Sequence, residues 1–269
     1  MKSINPAFFL RLLIIFILLT GTSAFRLFIK NKDEQKKNIN IVFIGDSITE
    51  GGGPEKPEDS APLHAINYLK KQSGTGIITF SNQGHSGFTT VDFLPSQGST
   101  FADAEKAADS LQKVNAGTLI FSIMLGTNDS AEEGPLGSPV SPADYRKNLT
   151  TIMDKLLNDF PGCHIILHHA TWYSPTTYNS SRYLAAGLKR LQSYFPEITA
   201  IIKTYRQTHP GQVFTGDTKA FDFFRINHKS YCITEHGQRG IFYLHPNAKG
   251  AKALGDFWGK AIYQSLLIK

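Results

Sequence analysis

A serine hydroxyl stands in Gly45-Asp46-Ser47, directly after the apolar run Ile41-Val42-Phe43-Ile44. A hydroxyl attacks carbon near neutral pH only when a base takes its proton during the attack. His245, in His245-Pro246-Asn247, is the candidate base. An imidazole titrates near physiological pH, so it can accept that proton and later pass it to a leaving group. Two further stretches combine glycine with amide or carboxylate groups, Asn82-Gln83-Gly84-His85-Ser86-Gly87 and Gly126-Thr127-Asn128-Asp129. Taken singly, the three glycine-bearing stretches have the composition of ordinary turns, and a histidine ahead of a helix is commonly a cap.

The elements around these stretches decide whether they can meet. Ile41–Ile44, mostly β-branched and bounded by glycine, reads as a strand buried on both faces, as in a parallel sheet. Ile77–Phe80 reads as a second strand running into the Asn82–Gly87 turn, and Thr118–Leu125 as a third ending at Gly126. His164–His169 is a fourth, leading into the aromatic loop Trp172-Tyr173-Ser174-Pro175, and Gln212–Thr215 a short fifth ending at Gly216-Asp217. Helices are expected over 62–71, 101–114 and 142–160, the last with Ser141 as cap and Pro142 at its first position. Two more are expected over 181–195 and 197–207, divided at Pro196, and a final one runs from after Asn247 to about Leu267. A proline-rich loop occupies 53–59, and 219–240 shows too little periodicity to assign. Strands that alternate with long helical crossovers imply parallel pairing. The expectation is one α/β domain over 40–269, a three-layer α/β/α arrangement of flavodoxin-like type with a central parallel sheet of about five strands. Ligands in such sheets sit at the carboxyl ends of the strands, which is where Ser47, Gly84 and Asn128 fall.

In this order and setting the four stretches resemble the sequence blocks of the SGNH, or GDSL-type, serine hydrolases. Gly45-Asp46-Ser47 matches the first block, Asn82-x-Gly84-x-x-Gly87 the second, Gly126-x-Asn128-Asp129 the third and His245-Pro246-Asn247 the last, so the resemblance spans Ile41 to about Leu267. It implies an esterase in which Ser47 is the nucleophile and His245 the base. It also implies that the Ser47 N–H, the Gly84 N–H and the Asn128 side-chain amide hold the oxyanion, one such donor being worth about 3 kcal/mol in the transition state. No cofactor is expected. The sequence departs from the family at Phe242, where an aspartate three residues before the histidine is usual. A phenyl ring cannot accept the imidazole N–H. Asp217, Asp222 and Glu235 are the nearest acidic residues, each also an ordinary surface charge; Glu235, near in sequence, and Asp217, after the fifth strand, come first as replacements, with a backbone carbonyl or water as the other partners open to the ring. Neither has the usual spacing to His245, so a Ser–His dyad is the expectation.

Trp172, Tyr173, Tyr178 and Arg182 follow the fourth strand. Aromatic faces beside a guanidinium suit a hydroxyl-bearing sugar ring, and the same loop could equally cover the core. No long apolar surface for an acyl chain is evident, which favours short acyl groups. The expected substrate is an acylated small molecule or carbohydrate, with acetyl esters foremost. A lipid-directed esterase, lysophospholipase or thioesterase is the rival among enzymes, and a noncatalytic glycan-binding protein is the rival from another class.

The formal charge of +6 owes much to lysines between Lys30 and Lys37. That stretch reads as part of a solvated linker over 25–39; no nucleic-acid module accompanies it, and no nucleic-acid partner is expected. Ahead of it, Lys2, an apolar run from Ala7 to Leu19 interrupted by Arg11, and Gly21-Thr22-Ser23-Ala24 resemble a secretory signal over 1–24 with a small-residue cleavage site. The run between Arg11 and Arg26 is short for a bilayer, so export to the periplasm or exterior is expected, with an uncleaved anchor as the alternative and no stable membrane span. Cys163 and Cys232 could pair after export or stay free and buried. His164, His168 and His169 do not make a metal site, because neighbouring strand residues point to opposite faces, and no metal is expected. The sequence carries no signal for oligomeric state.

Overall fold

The structure, a computed structural model, describes residues 36–53 and 59–267. The expected export signal over 1–24, the expected linker as far as residue 35 and residues 54–58 of the proline-rich loop lie outside the described residues. Strand β1 (Lys37–Gly45) is buried from Ile39 onward, as its apolar run requires of a strand covered on both faces. It begins at Lys37, inside the stretch expected as linker, because the Lys37 N–H already bonds the Gly74 carbonyl at 2.8 Å. The one-turn helix α1 (Ser47–Glu50) follows, then α2 (Ala61–Leu69), β2 (Thr75–Gly84), α3 (Thr100–Val114), β3 (Thr118–Met124) and α4 (Pro142–Asp159). The chain continues through β4 (His164–Leu167), α5 (Leu184–Thr208), β5 (Val213–Thr215), α6 (Ala220–Tyr231), β6 (Glu235–Gly237), β7 (Gly240–Phe242) and α7 (Ala248–Leu267).

Five strands form a parallel sheet in the order β2-β1-β3-β4-β5. The right-handed rule for crossovers puts α2 on one face and α3, α4 and α5 on the other, because the chain first moves one way from β1 and then the other way from β2. Contacts agree: α2 packs on α7, while α4 packs on α5 and reaches α3 through a Lys155–Glu105 ion pair at 3.3 Å. Trp258 of α7 stacks on Phe43 of β1 (centroids 6.1 Å apart), and Tyr145 of α4 stacks on Tyr194 of α5 (4.0 Å). Each such buried ring contributes about 1.5–3 kcal/mol through the apolar surface it removes from water.

Register sets the site. Gly45 pairs with Gly84 of β2 on one side and Met124 of β3 on the other, so the carboxyl ends of three strands are level. The strand order reverses between β1 and β3, the switch point at which such sheets open a crevice.

The expected division at Pro196 is absent. Helix α5 runs unbroken through Pro196; its buried face of Leu191, Tyr194, Ile198, Ile201, Ile202 and Tyr205 outweighs the single backbone bond that proline forgoes. The unassigned stretch 219–240 holds α6 and an antiparallel hairpin, β6 against β7. Three-residue strands are too short to show a period of two in sequence.

Candidate active site

Asp46 follows β1 and caps α1, its Oδ1 accepting the Ile48 N–H at 2.9 Å. That turn sets Ser47 at the rim of the crevice, with Oγ 3.0 Å from His245 Nε2. His245 arrives from the loop between β7 and α7. Its Nδ1 lies 3.0 Å from Glu235 Oε2, and Glu235 Oε1 accepts the backbone N–H groups of His245 (3.1 Å) and Leu244 (3.3 Å). Burial alone would raise the Glu235 pKa, but the hydrogen bonds and charge of His245 outweigh it and hold the carboxyl below its ordinary value. A carboxylate on Nδ1 fixes the tautomer in which Nε2 is free to accept the Ser47 proton.

The dyad expectation is thereby corrected: a carboxylate does reach the ring, from β6. Phe242 is buried, and it is the residue paired with Glu235 across the hairpin. Asp217 is elsewhere. Its carboxylate accepts the N–H groups of Lys219 (3.0 Å) and Ala220 (2.8 Å) at the start of α6, and burial raises its pKa.

Asn128 follows β3 and is 3% exposed. Its Oδ1 accepts the Tyr183 hydroxyl at 2.6 Å and its Nδ2 donates to the Phe88 carbonyl at 2.8 Å. An amide nitrogen carries two N–H bonds, so one remains for the crevice. Gly84 does not play the expected part. Its N–H donates to Asn82 Oδ1 at 3.0 Å, and a Cβ there would stand 2.2 Å from the Glu50 nitrogen, so this glycine lets β2 pass close beneath α1. The glycine at the crevice is Gly87, at φ +82° with open space around its α-carbon and, among the described residues, no acceptor for its N–H. Asp129 ties the two loops together by accepting the Thr90 N–H at 3.0 Å and the Thr90 hydroxyl; burial pushes its carboxyl up to about 7.

Ser47, Gly87, Asn128 and His245 open on a cavity of about 300 Å³ whose other lining residues are Ser86, Asn179, Ser180, Ser181, Tyr183 and Leu244. No lysine or arginine is among them. The expected aromatic platform is not there. Trp172 is 7% exposed and packs on His228, while Tyr173 is fully buried with its hydroxyl 2.8 Å from that of Ser130. Tyr178 lies outside the lining, its carbonyl accepting the Gln238 N–H at 2.8 Å. Arg182 is paired with Glu132 (3.1 Å) and Glu133 (3.2 Å). Trp172 and Tyr173, rings that could floor a binding site, close the core instead.

A second serine–histidine pair lies inside the domain: Ser122 Oγ is 2.9 Å from His168 Nε2, and His168 Nδ1 accepts the Asp217 N–H at 2.9 Å. Burial lowers the pKa of His168 to about 3. His169 stacks on Phe195 with centroids 4.1 Å apart. Cys163 and Cys232 are free and buried, each thiol pushed up to about 12 by burial. Among the described residues no helix is long and apolar enough to cross a membrane.

The model of the GDSL-like lipase/acylhydrolase family matches residues 43–253. No curated protein matches the chain. Among solved structures, it is similar to Est24, a carbohydrate acetylesterase from Sinorhizobium meliloti, at 17% identity over 84% of this chain and 98% of that one, TM-score 0.55. It is similar to a family 3 carbohydrate esterase from Clostridium thermocellum at 18% identity over 86% of this chain and 98% of that one, TM-score 0.55. It is also similar to a two-domain esterase, CEX, active on acetylated mannans, at 16% identity and TM-score 0.54; 90% of this chain is covered, and it spans about half (53%) of that one. At these identities the likeness is one of fold.

Proposed function

This chain belongs to the GDSL-like lipase/acylhydrolase family and is an ester hydrolase of the SGNH fold, and from that premise we propose that it removes short acyl groups, foremost acetyl, from carbohydrate by serine catalysis. The observation that carries the reading is the line Ser47–His245–Glu235, with contacts of 3.0 Å at each step, opening on a cavity of about 300 Å³ with an uncharged polar lining. In the proposed reaction Ser47 Oγ attacks the acyl carbon as its proton passes to His245 Nε2, while the Nδ1–H stays on the Glu235 carboxylate. The negative charge that develops on the carbonyl oxygen is received by the N–H groups of Ser47 and Gly87 and the free amide N–H of Asn128. His245 then protonates the departing alcohol, leaving the acyl group on Ser47, and water repeats the sequence to release the acid.

Two of the structural relatives, a carbohydrate acetylesterase and an esterase active on acetylated mannans, support the acetyl-sugar reading by their names. A lipid-directed esterase would need an apolar channel, and this cavity contributes one leucine, Leu244. A noncatalytic sugar-binding role would leave the serine, histidine and carboxylate line without a purpose. Export remains part of the proposal, supported by Lys2, the apolar run from Ala7 and the small residues ahead of Phe25. The deciding assay compares acetyl, octanoyl and palmitoyl p-nitrophenyl esters with acetylated xylotriose. Acetyl esters should show the highest kcat/KM; preference for palmitoyl would transfer the reading to lipid substrates.

A further inference from the structure

We propose that the segment Asn179–Tyr183 is the subsite for the alcohol part of the ester, built for an uncharged, hydroxyl-rich acceptor, and that Tyr183 links this subsite to the oxyanion donor Asn128. The inference rests on the esterase reading above and names what confers its acceptor preference. Asn179, Ser180, Ser181 and Tyr183 are four of the ten residues around the cavity. Asn179 Oδ1 accepts the Ser181 N–H at 2.8 Å, and among the described residues neither Asn179 Nδ2 nor the exposed Ser180 hydroxyl has a partner. Neutral donors and acceptors of this kind match sugar hydroxyls. A phosphate or carboxylate would call for a cation, and the nearby guanidinium of Arg182 is held by Glu132 and Glu133.

The segment is held in place. Arg182 pairs antiparallel with both Tyr178 and Glu133, and Gln238, in the turn of the β6–β7 hairpin, donates its N–H to Tyr178 and its side-chain amide to the Asn179 carbonyl at 3.4 Å. The hairpin that carries Glu235 thus also braces the subsite. Leu184 is the one non-glycine residue with positive φ (54°) among the described residues, and its N–H is held by the Thr177 carbonyl at 3.1 Å. A leucine in the left-handed region crowds its Cβ against the following carbonyl oxygen, and strain of this kind marks places where the surrounding structure dictates a conformation. Here the residue it directs is Tyr183, whose hydroxyl reaches Asn128 Oδ1 at 2.6 Å. A proton donated to the amide oxygen draws density from Nδ2 and makes its remaining N–H a stronger donor. That donor matters most once the oxyanion forms, so contacts that steady Tyr183 appear in kcat and not only in KM.

Steady-state kinetics on acetylated xylotriose and p-nitrophenyl acetate, with circular dichroism of every protein, test the proposal. Asn179→Ala and, as the variant that removes only an unbonded hydroxyl, Ser180→Ala should lower kcat on acetylated xylotriose by about tenfold and about threefold, each loss being several times larger than on p-nitrophenyl acetate. Tyr183→Phe, which keeps the ring, should lower kcat on both esters by about tenfold with KM within about twofold. Equal losses on the two esters from Asn179→Ala and Ser180→Ala, a rise in KM alone from either of them, or a Tyr183→Phe protein with parental kcat would each overturn the inference while leaving the esterase reading intact. A parent enzyme that cleaves p-nitrophenyl acetate and no acetylated sugar would instead overturn the carbohydrate reading, and the subsite with it.

Discussion

Glu235 and Phe242 face each other as paired residues of the β6–β7 hairpin. Family members usually carry the orienting carboxylate at the position of Phe242; here it projects from the opposite strand and still meets His245 Nδ1 at 3.0 Å. Glu235→Gln should therefore lower kcat on p-nitrophenyl acetate by about 10⁴, the loss expected when a triad carboxylate becomes an amide. Asp217→Asn should stay within about threefold, its effect falling on stability through the cap of α6. Retention of activity within tenfold by the Glu235 variant, with the fold intact, would restore the dyad.

Stability should report the same pair through pH. The Glu235 carboxyl is held below its ordinary value of 4.5, so its contribution is fully present above 4.5 and is lost as pH falls through the lower folded value. Thermal unfolding of the parent and Glu235→Gln should show the widest gap in Tm near neutrality, closing in acid. A gap of constant size down to acid pH would contradict the assigned pairing.

Gly84 and Gly87 should separate by readout. Gly84→Ala drives a Cβ against backbone of α1 and should lower Tm, at a cost of about 1–3 kcal/mol. Gly87→Ala meets open space and bears only the cost of a positive φ, about 1 kcal/mol, but it should turn the peptide N–H and lower kcat by about tenfold or more. If Gly84→Ala instead spares stability and loses kcat, the oxyanion donor has been assigned to the wrong glycine.

Ser47→Ala should abolish ester hydrolysis, by roughly a thousandfold or more, and leave Tm close to that of the parent. Ser122→Ala should do the reverse. It leaves a buried histidine N–H without a partner at about 1–3 kcal/mol and touches nothing at the cavity. Labelling by a fluorophosphonate, followed by peptide mapping, checks both at once: modification at Ser47 alone is the expected outcome.

Ser47, Asn128 and His245 were legible because each closes a long apolar strand or precedes a long helix, and those elements are strongly patterned. Glu235 was legible only as a candidate; its strand is three residues long, and the register that aims it at His245 is a tertiary fact. The two glycines of one motif could not be told apart without seeing that the Asn82 side chain consumes the N–H of Gly84. Trp172 and Tyr173 misled because a ring that floors a sugar site and a ring that fills a core have the same composition. The local rule that makes proline a helix boundary fails at Pro196 because the packing of α5 overrides it.

Distance alone would count two nucleophiles in this chain, since Ser122 stands as near to His168 as Ser47 does to His245. What separates them is the direction in which each imidazole points its single proton. A peptide N–H approaches His168 Nδ1, so the neutral ring must carry hydrogen on Nε2 and present it to Ser122, whose oxygen is made an acceptor. A carboxylate approaches His245 Nδ1, so that ring shows Ser47 a lone pair. One far-side atom, donor in the first case and acceptor in the second, turns the same two side chains into either an inert rivet or a base poised to act.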